Sequence, residues 1–318
     1  MTIQRTNLRS RVSFAPQKVI SIDGQMGTDV PLTNVILKSQ VPENAWINEA
    51  TARIGDWRSL VRSVYLRWAI TINACVLAKE RYEQMPAAKA LQTKSIRVTD
   101  GVPELTVIAQ WSGGEAARNY SQTTALLAAH GVVEIYGAFE DIIFDLYRIV
   151  LQHNPAPIIE GPEFRNLRRL WRTRLESDEA LIAWETAWER RYEKWRRKRA
   201  YDGLHTVFTA LFKHAGLVRP SSYQLTDVED WSRWIEMLGE LRNLIVHGSP
   251  AVSQRLADLS TETLAGFHAG DELDVDLTHL QAAECFFDQL LSAINISLIE
   301  GAMPTGPAVP TAPAPARG

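Results

Sequence analysis

The chain has 318 residues, 46% of them hydrophobic and 22% charged, with a formal net charge of -3. Such a chain buries a full core, as one large or two smaller domains, and has the balance of a soluble globular protein. Only two cysteines, Cys75 and Cys285, lie far apart in apolar helical patterns, which excludes a disulfide framework and a zinc knuckle and marks both as packing residues of a reducing compartment.

The first residues, MTIQRTNLRSR, lack the apolar core of a secretory signal, and the longest apolar run, 68–78, is about half of what a bilayer crossing needs. A cytoplasmic protein without a membrane contact is expected. Residues 1–43 carry the short apolar runs KVISI and NVILK among Gly, Pro and Asp, which allow short strands or an extended arm. From 57 to about 84, Leu60, Val64, Leu66, Trp68, Ile70 and Ile72 recur at helical spacing and predict a long, largely buried helix. SIRVTDGVPELTVIAQW follows, two β-rich runs around an Asp100-Gly101 turn, and reads as a hairpin inserted among helices.

Residues 121–152 predict a second long helix, stopped by Pro155 and Pro157. Its buried side is Ile135, Phe139, Ile142, Leu146 and Ile149, and Glu134, Asp141, Asp145 and Arg148 form the opposite, solvated stripe. Glu140 is out of phase with that stripe, flanked by Tyr136, Phe144, Tyr147 and Leu151. A carboxylate so placed needs a partner. Residues 164–200 read as charged and helical, 204–215 as a short apolar helix, and 226–246 as an amphipathic helix. Residues 271–277 alternate Leu273, Val275 and Leu277 with Asp274 and Asp276, as an edge strand would, and 281–299 close the fold as a helix. The Pro/Ala-rich residues 303–318 cannot bury a core and are expected to be a disordered tail. The whole is mainly α, with an N-terminal region at 1–110, a helical domain at 111–302 and that tail.

The stretch that carries chemistry is RNLIVHG, 242–248. An Arg followed by a His five to seven positions on occurs three times here (Arg148/His153, Arg199/His205, Arg242/His247), and about two such matches are expected by chance. Context separates the third. Thr226 and Glu229 have capping-box spacing, Trp231, Trp234, Met237, Leu238, Leu241 and Ile245 make one apolar face, and Gly248 with Pro250 supplies a stop. Asn243 and His247, four apart, share a helix face, whereas Arg242 and His247, five apart, point about 140° from one another. One helix alone does not converge them; a second copy across a twofold axis would.

RNLIVH fits the R-N-x-x-x-H signature, and the chain resembles HEPN domains over this helix and the helical layout of roughly 115–302. The resemblance implies a HEPN-like helical bundle and a metal-independent endoribonuclease without a cofactor. It also implies a toxin or antiphage role, a site composite between two copies and hence a homodimer, and an antitoxin or another defence-system protein as partner. Carried over, the catalytic positions are Arg242, Asn243 and His247, with Glu140 orienting Arg242 as an acidic residue on a preceding helix does in some members. A histidine, with a reference pKa of about 6.5, can take the proton of a ribose 2'-hydroxyl or give one to the leaving oxygen. An arginine fork can hold the phosphate oxygens as charge builds on them.

FRNLRRLWRTR and RRYEKWRRKR are dense in arginine, and Arg165, Arg168, Arg169, Arg172, Arg196, Arg197, Lys198 and Arg199 are the expected RNA-backbone contacts. RNLRR at Arg165 begins like the signature, but Leu170 stands where the histidine would. Trp184, Trp188, Tyr192 and Trp195, at helical spacing, are expected to pack inward rather than stack on bases. Two plainer readings stand beside the enzyme: a HEPN-like module that binds RNA or a protein without cutting, and a helical scaffold in which RNLIVHG is a capped helix end.

Overall fold

The computed structural model describes residues 18–21, 35–39, 41–86, 89–261 and 266–302. The tail expected at 303–318 and the extended arm considered for the first residues lie outside them. Strand β1 (Lys18–Ser21) pairs in parallel with β2 (Val35–Lys38). Helix α1 (Ala45–Glu83) leads to an antiparallel ribbon of β3 (Ala90–Thr99) and β4 (Val102–Ser112). Helices α2 (Gly113–His153), α3 (Ala156–Ile159), α4 (Arg165–Thr173), α5 (Asp178–Arg199) and α6 (Leu204–Ala215) follow. The chain then forms α7 (Val228–Val246), α8 (Gln254–Ser260) and α9 (Leu277–Ala302). The protein is mainly α with a small hairpin. In its turn Asp100 (φ 53°) and Gly101 (φ 82°) are both left-handed, the type I′ geometry an Asp-Gly pair favours.

Several expectations need correction. Helix α2 begins at Gly113, eight residues before 121, because Ser112 and Glu115 cap each other's backbone N–H groups. The stretch 164–200 is two helices, α4 and α5, and the Ser177 hydroxyl caps the second. Residues 271–277 are no strand: only Glu272 bridges, to Ala251. The Asp276 carboxylate instead accepts from the N–H groups of Thr278 and His279, starting α9 at Leu277. Cys285 is exposed and Cys75 half-buried, so neither is a core residue. Helix α1 is buried mainly over its first half; beyond it Ile72 is buried, but Ile70, Val76 and Leu77 are exposed.

Two compact units make up the chain. One holds Arg58–Ile142 and Arg233–Asp288. In it Phe139 stacks on Phe287 at 4.1 Å, Phe287 meets Phe286 at 5.3 Å, and Phe286 stacks on Trp234 at 5.2 Å, a chain of rings from α2 through α9 to α7. Gly131 lets α2 approach closely: a Cβ there would sit 2.8 Å from a Leu280 methyl and 3.1 Å from the Trp68 ring. Arginines on α1 pair with carboxylates on the neighbours. Arg58 forks onto Asp288 (2.8 and 3.1 Å), Arg62 pairs with the buried Glu284, and Arg67 with Glu134. Glu134 also accepts the Trp68 indole N–H, so this member of the expected solvated stripe is engaged.

The other unit holds Ile143–Ser232 with the described residues up to 57 and from 289. Trp171, Trp184, Trp188, Tyr192, Trp195 and Tyr147 form a continuous series of ring contacts at 4.8 to 6.0 Å. The Tyr192 hydroxyl donates to the Phe144 carbonyl at 2.7 Å, and the aromatics of α5 pack inward as their spacing predicts. Asp145 and Arg148, also of the stripe, pair with Arg53 and Glu189. Strand β2 is held by Thr51, whose hydroxyl accepts from Leu37 N–H, and by Asn295, which donates to the Val35 carbonyl.

Among the described residues, two helices, within Pro42–Glu83 and Leu277–Ala302, are long and apolar enough to cross a membrane. The second is largely buried in the fold, and the first carries the three ion-paired arginines.

Glu284 is 1% exposed, and burial lifts its carboxyl above the ordinary 4.5 although Arg62 pulls the other way. The folded state therefore binds this proton more tightly than the unfolded one. Its contribution favours folding below about pH 4.5 and is lost as pH rises through the raised value. Urea midpoints measured from pH 4.5 upward should fall less steeply in Glu284→Gln than in the wild type; parallel curves would show that burial does not perturb this carboxyl.

Candidate functional site

The motif sits at the end of α7. The helix starts with a reciprocal cap, Asp227 and Asp230 each accepting the other's backbone N–H at 2.9 Å, one residue on from the Thr226/Glu229 box that the sequence suggests. Beyond it Ile235, Met237, Leu238 and Leu241 are buried and Trp234 lies on Phe286. Gly239 faces Tyr136 of α2, where a Cβ would stand 2.9 Å from the phenol oxygen. Ring stacking and this close approach fix the roll of the helix about its own axis.

The far end closes as a Schellman turn. Ser249 N–H donates to the Leu244 carbonyl at 2.9 Å, Gly248 N–H to that of Ile245 at 3.1 Å, and Gly248 takes φ 65°. His247 is thus the last residue still bonded into the helix, its N–H donating to the Asn243 carbonyl at 3.0 Å. With the roll fixed, Asn243 and His247 emerge exposed and Arg242 half-buried. None of the three is buried.

Arg242 donates from Nη1 to Oδ1 of Asn243 at 2.9 Å, so the residue after the arginine holds one arm of its guanidinium. On the inner side, burial first and the Glu140 carboxylate second push the Tyr136 phenol well above its ordinary 10, and Arg242 pulls it back. Glu140, half-buried on α2, and Arg242 thus act in opposite directions on this one phenol. His247 does not join them. Because α7 stays helical through Val246, Arg242 and His247 diverge by about 140° around its axis, as their spacing predicts.

What the sequence concealed is the polar surface leading up to His247. Glu236, Glu240, Asn243 and His247 recur at helical spacing on one face. Helix α8 answers the two carboxylates: Arg255 pairs with Glu236 at 2.7 Å, and the Ser253 hydroxyl donates to Glu240 at 2.9 Å. Arg255 is an exposed cation beside the motif helix that no spacing rule singles out. Among the described residues, no group of three or more His, Cys, Asp and Glu could hold a metal ion.

The eight basic residues expected on RNA belong to the other unit and behave unevenly. Arg165, Arg169 and Arg172 are exposed on α4, whereas Arg168 is committed to the carbonyls of Ile159 and Gly161 at 2.7 and 2.6 Å. On α5, Arg196 lies over the Phe144 ring at 5.2 Å and Arg199 pairs with Asp202, leaving Arg197 and Lys198 fully at the surface. All four stand in the last turn of α5, where cations offset the helix dipole whether or not RNA is bound. No protein-family model, curated protein or solved structure matches the chain.

Gly248→Ala would force a Cβ into the left-handed region, which costs about 1–2 kcal/mol. A urea midpoint lowered accordingly, with helix content intact, is the expected result; an unchanged midpoint would mean the turn is not holding the end of α7.

Proposed function

We propose that this protein is a metal-independent endoribonuclease of the HEPN type, working as a homodimer in a cytoplasmic toxin or antiphage role, with an antitoxin or another defence protein as a possible partner class. One observation carries the reading. Arg242, Asn243 and His247 occupy the last, open turns of a helix whose roll is fixed by its packing, with the guanidinium braced by Asn243. A polar cluster held so firmly and left so accessible has the preorganisation that phosphate chemistry needs.

In the proposed reaction His247 takes the proton of a ribose 2'-hydroxyl, whose oxygen attacks the adjacent phosphorus. The bond from phosphorus to the 5'-oxygen breaks, and that oxygen leaves with a proton from the second imidazole of the pair. Products are a 2',3'-cyclic phosphate and a 5'-hydroxyl. Arg242 holds the non-bridging oxygens while they gain charge, and Glu140 and Asn243 set the direction of its fork. Arg165, Arg169, Arg172, Arg197 and Lys198, all exposed, attract the backbone. The nucleophile is intramolecular, so no metal is needed to generate it, and DNA, which lacks it, is spared.

The divergence of Arg242 from His247 favours a second reading, a module that binds RNA or a protein and does not cut, should the second copy fail to complete the site. Mixed RNA incubated with the full-length protein in EDTA separates the two. Cleavage should fall by about 10²–10⁴ in His247→Ala and be lost similarly in Arg242→Ala, while a substrate with a single 2'-deoxy residue at the cut site stays intact. RNA untouched by the wild type, yet retarded on a gel, would favour the binder.

A further inference from the structure

The β3–β4 ribbon is strongly one-sided. A bulge at Ile108, between the pairs Thr93/Ala109 and Lys94/Val107, resets the register, so that towards the tip Lys94/Val107, Ile96/Leu105 and Val98/Pro103 share one face. The opposite face carries Ser95/Thr106, the oppositely charged pair Arg97/Glu104, and Thr99/Val102. On the first face Ile96, Val98, Leu105 and Val107 are 68%, 69%, 74% and 43% exposed.

A two-stranded ribbon is at best marginally stable in water without something on its apolar side, and among the described residues neither of its edges is paired. Its root, by contrast, is firmly set. Tyr82 of α1 stacks on Tyr120 of α2 at 5.4 Å, and Gly113 opens α2 where a Cβ would meet the Tyr82 carbonyl oxygen at 2.6 Å. The ribbon is therefore held out in a defined place with its apolar face uncovered.

We propose that this face seats a second copy of the chain, two ribbons lying face to face across a twofold axis. Area and symmetry both select that occupant. The four side chains expose on the order of 500 Å² of apolar surface, the size at which a patch on a monomer marks an interaction site. Two such faces together bury about 1,000 Å², the threshold for a specific interface. A twofold axis sets a patch against itself, which suits a face whose only charge is Lys94, near its inner end, and which offers no charge pattern for a different protein to read. The chemistry at α7 plays no part in this inference, and its test needs no RNA.

Light scattering on the purified full-length chain at micromolar concentration should give twice the 35.7 kDa of one copy. Ile96→Lys with Leu105→Glu should halve that mass with helix content unchanged, whereas Arg97→Ala, on the polar face, should leave it. As a check independent of any folding defect, Leu105→Cys should cross-link two copies under oxidation far more readily than Thr106→Cys. A wild-type monomer, including one that gains a partner only on lipid vesicles or another protein, overturns the proposal. So does a dimer that survives the double substitution, or equal cross-linking from the two faces.

Discussion

Everything about the candidate site depends on the roll of α7. A helix offers the same residues in any rotation, and a turn of one residue about the axis moves every side chain through about 100°. Trp234 lying on Phe286 and the Tyr136 phenol pressed against Gly239 leave one rotation open. In that rotation Leu238 and Leu241 are buried, Arg242 is half-buried with one arm of its guanidinium on Asn243, and Asn243 and His247 come out into solvent. The aromatic chain through Phe287 and Phe139 passes this constraint on to α2, which also carries Glu140. The residues that hold the helix and the residues proposed to do chemistry are thus separate sets on one element.

Charge is used in two ways along this chain. On α1, Arg58, Arg62 and Arg67 are committed to Asp288, Glu284 and Glu134, and these contacts tie the helix to its neighbours α2 and α9. On α4 and α5 the same residue type is divided. Arg168 and Arg199 satisfy carbonyls and a carboxylate, while Arg165, Arg169, Arg172 and Arg197 stay at the surface. Arginine density in a sequence therefore overstates the surface available to phosphate. The aromatics between those arginines are used up in the ring series of the core, which stabilises α5 and removes them from any role in base stacking.

Some elements were legible to the residue. Helix α6 runs from Leu204 to Ala215 as its spacing predicts, because Gly203 and Gly216, both at positive φ, bracket a run with one apolar face. The Asp100-Gly101 turn and the stop at Gly248 were legible for the same reason: the conformation they need is one that few residues accept. Where local rules competed, reading by period failed. Ser112 and Glu115 form a readable cap, but the two glycines between them argue against a helix start. The alternation at 271–277 matches a strand, but Asp276 spends its carboxylate on the N–H groups that begin α9.

By itself the sequence determined the mainly helical class, the ribbon and its turn, the end of α7 at His247, and the divergence of Arg242 and His247, since all of these follow from backbone preference and from angles within one helix. Only the tertiary structure decided that the Tyr136 phenol packs on Gly239, that Arg255 reaches Glu236, that α1 is covered more fully at its start than towards its end, and that the ribbon's apolar face is left open. Those are contacts between residues far apart in the chain. They depend on how helices roll and approach, and no periodicity records that.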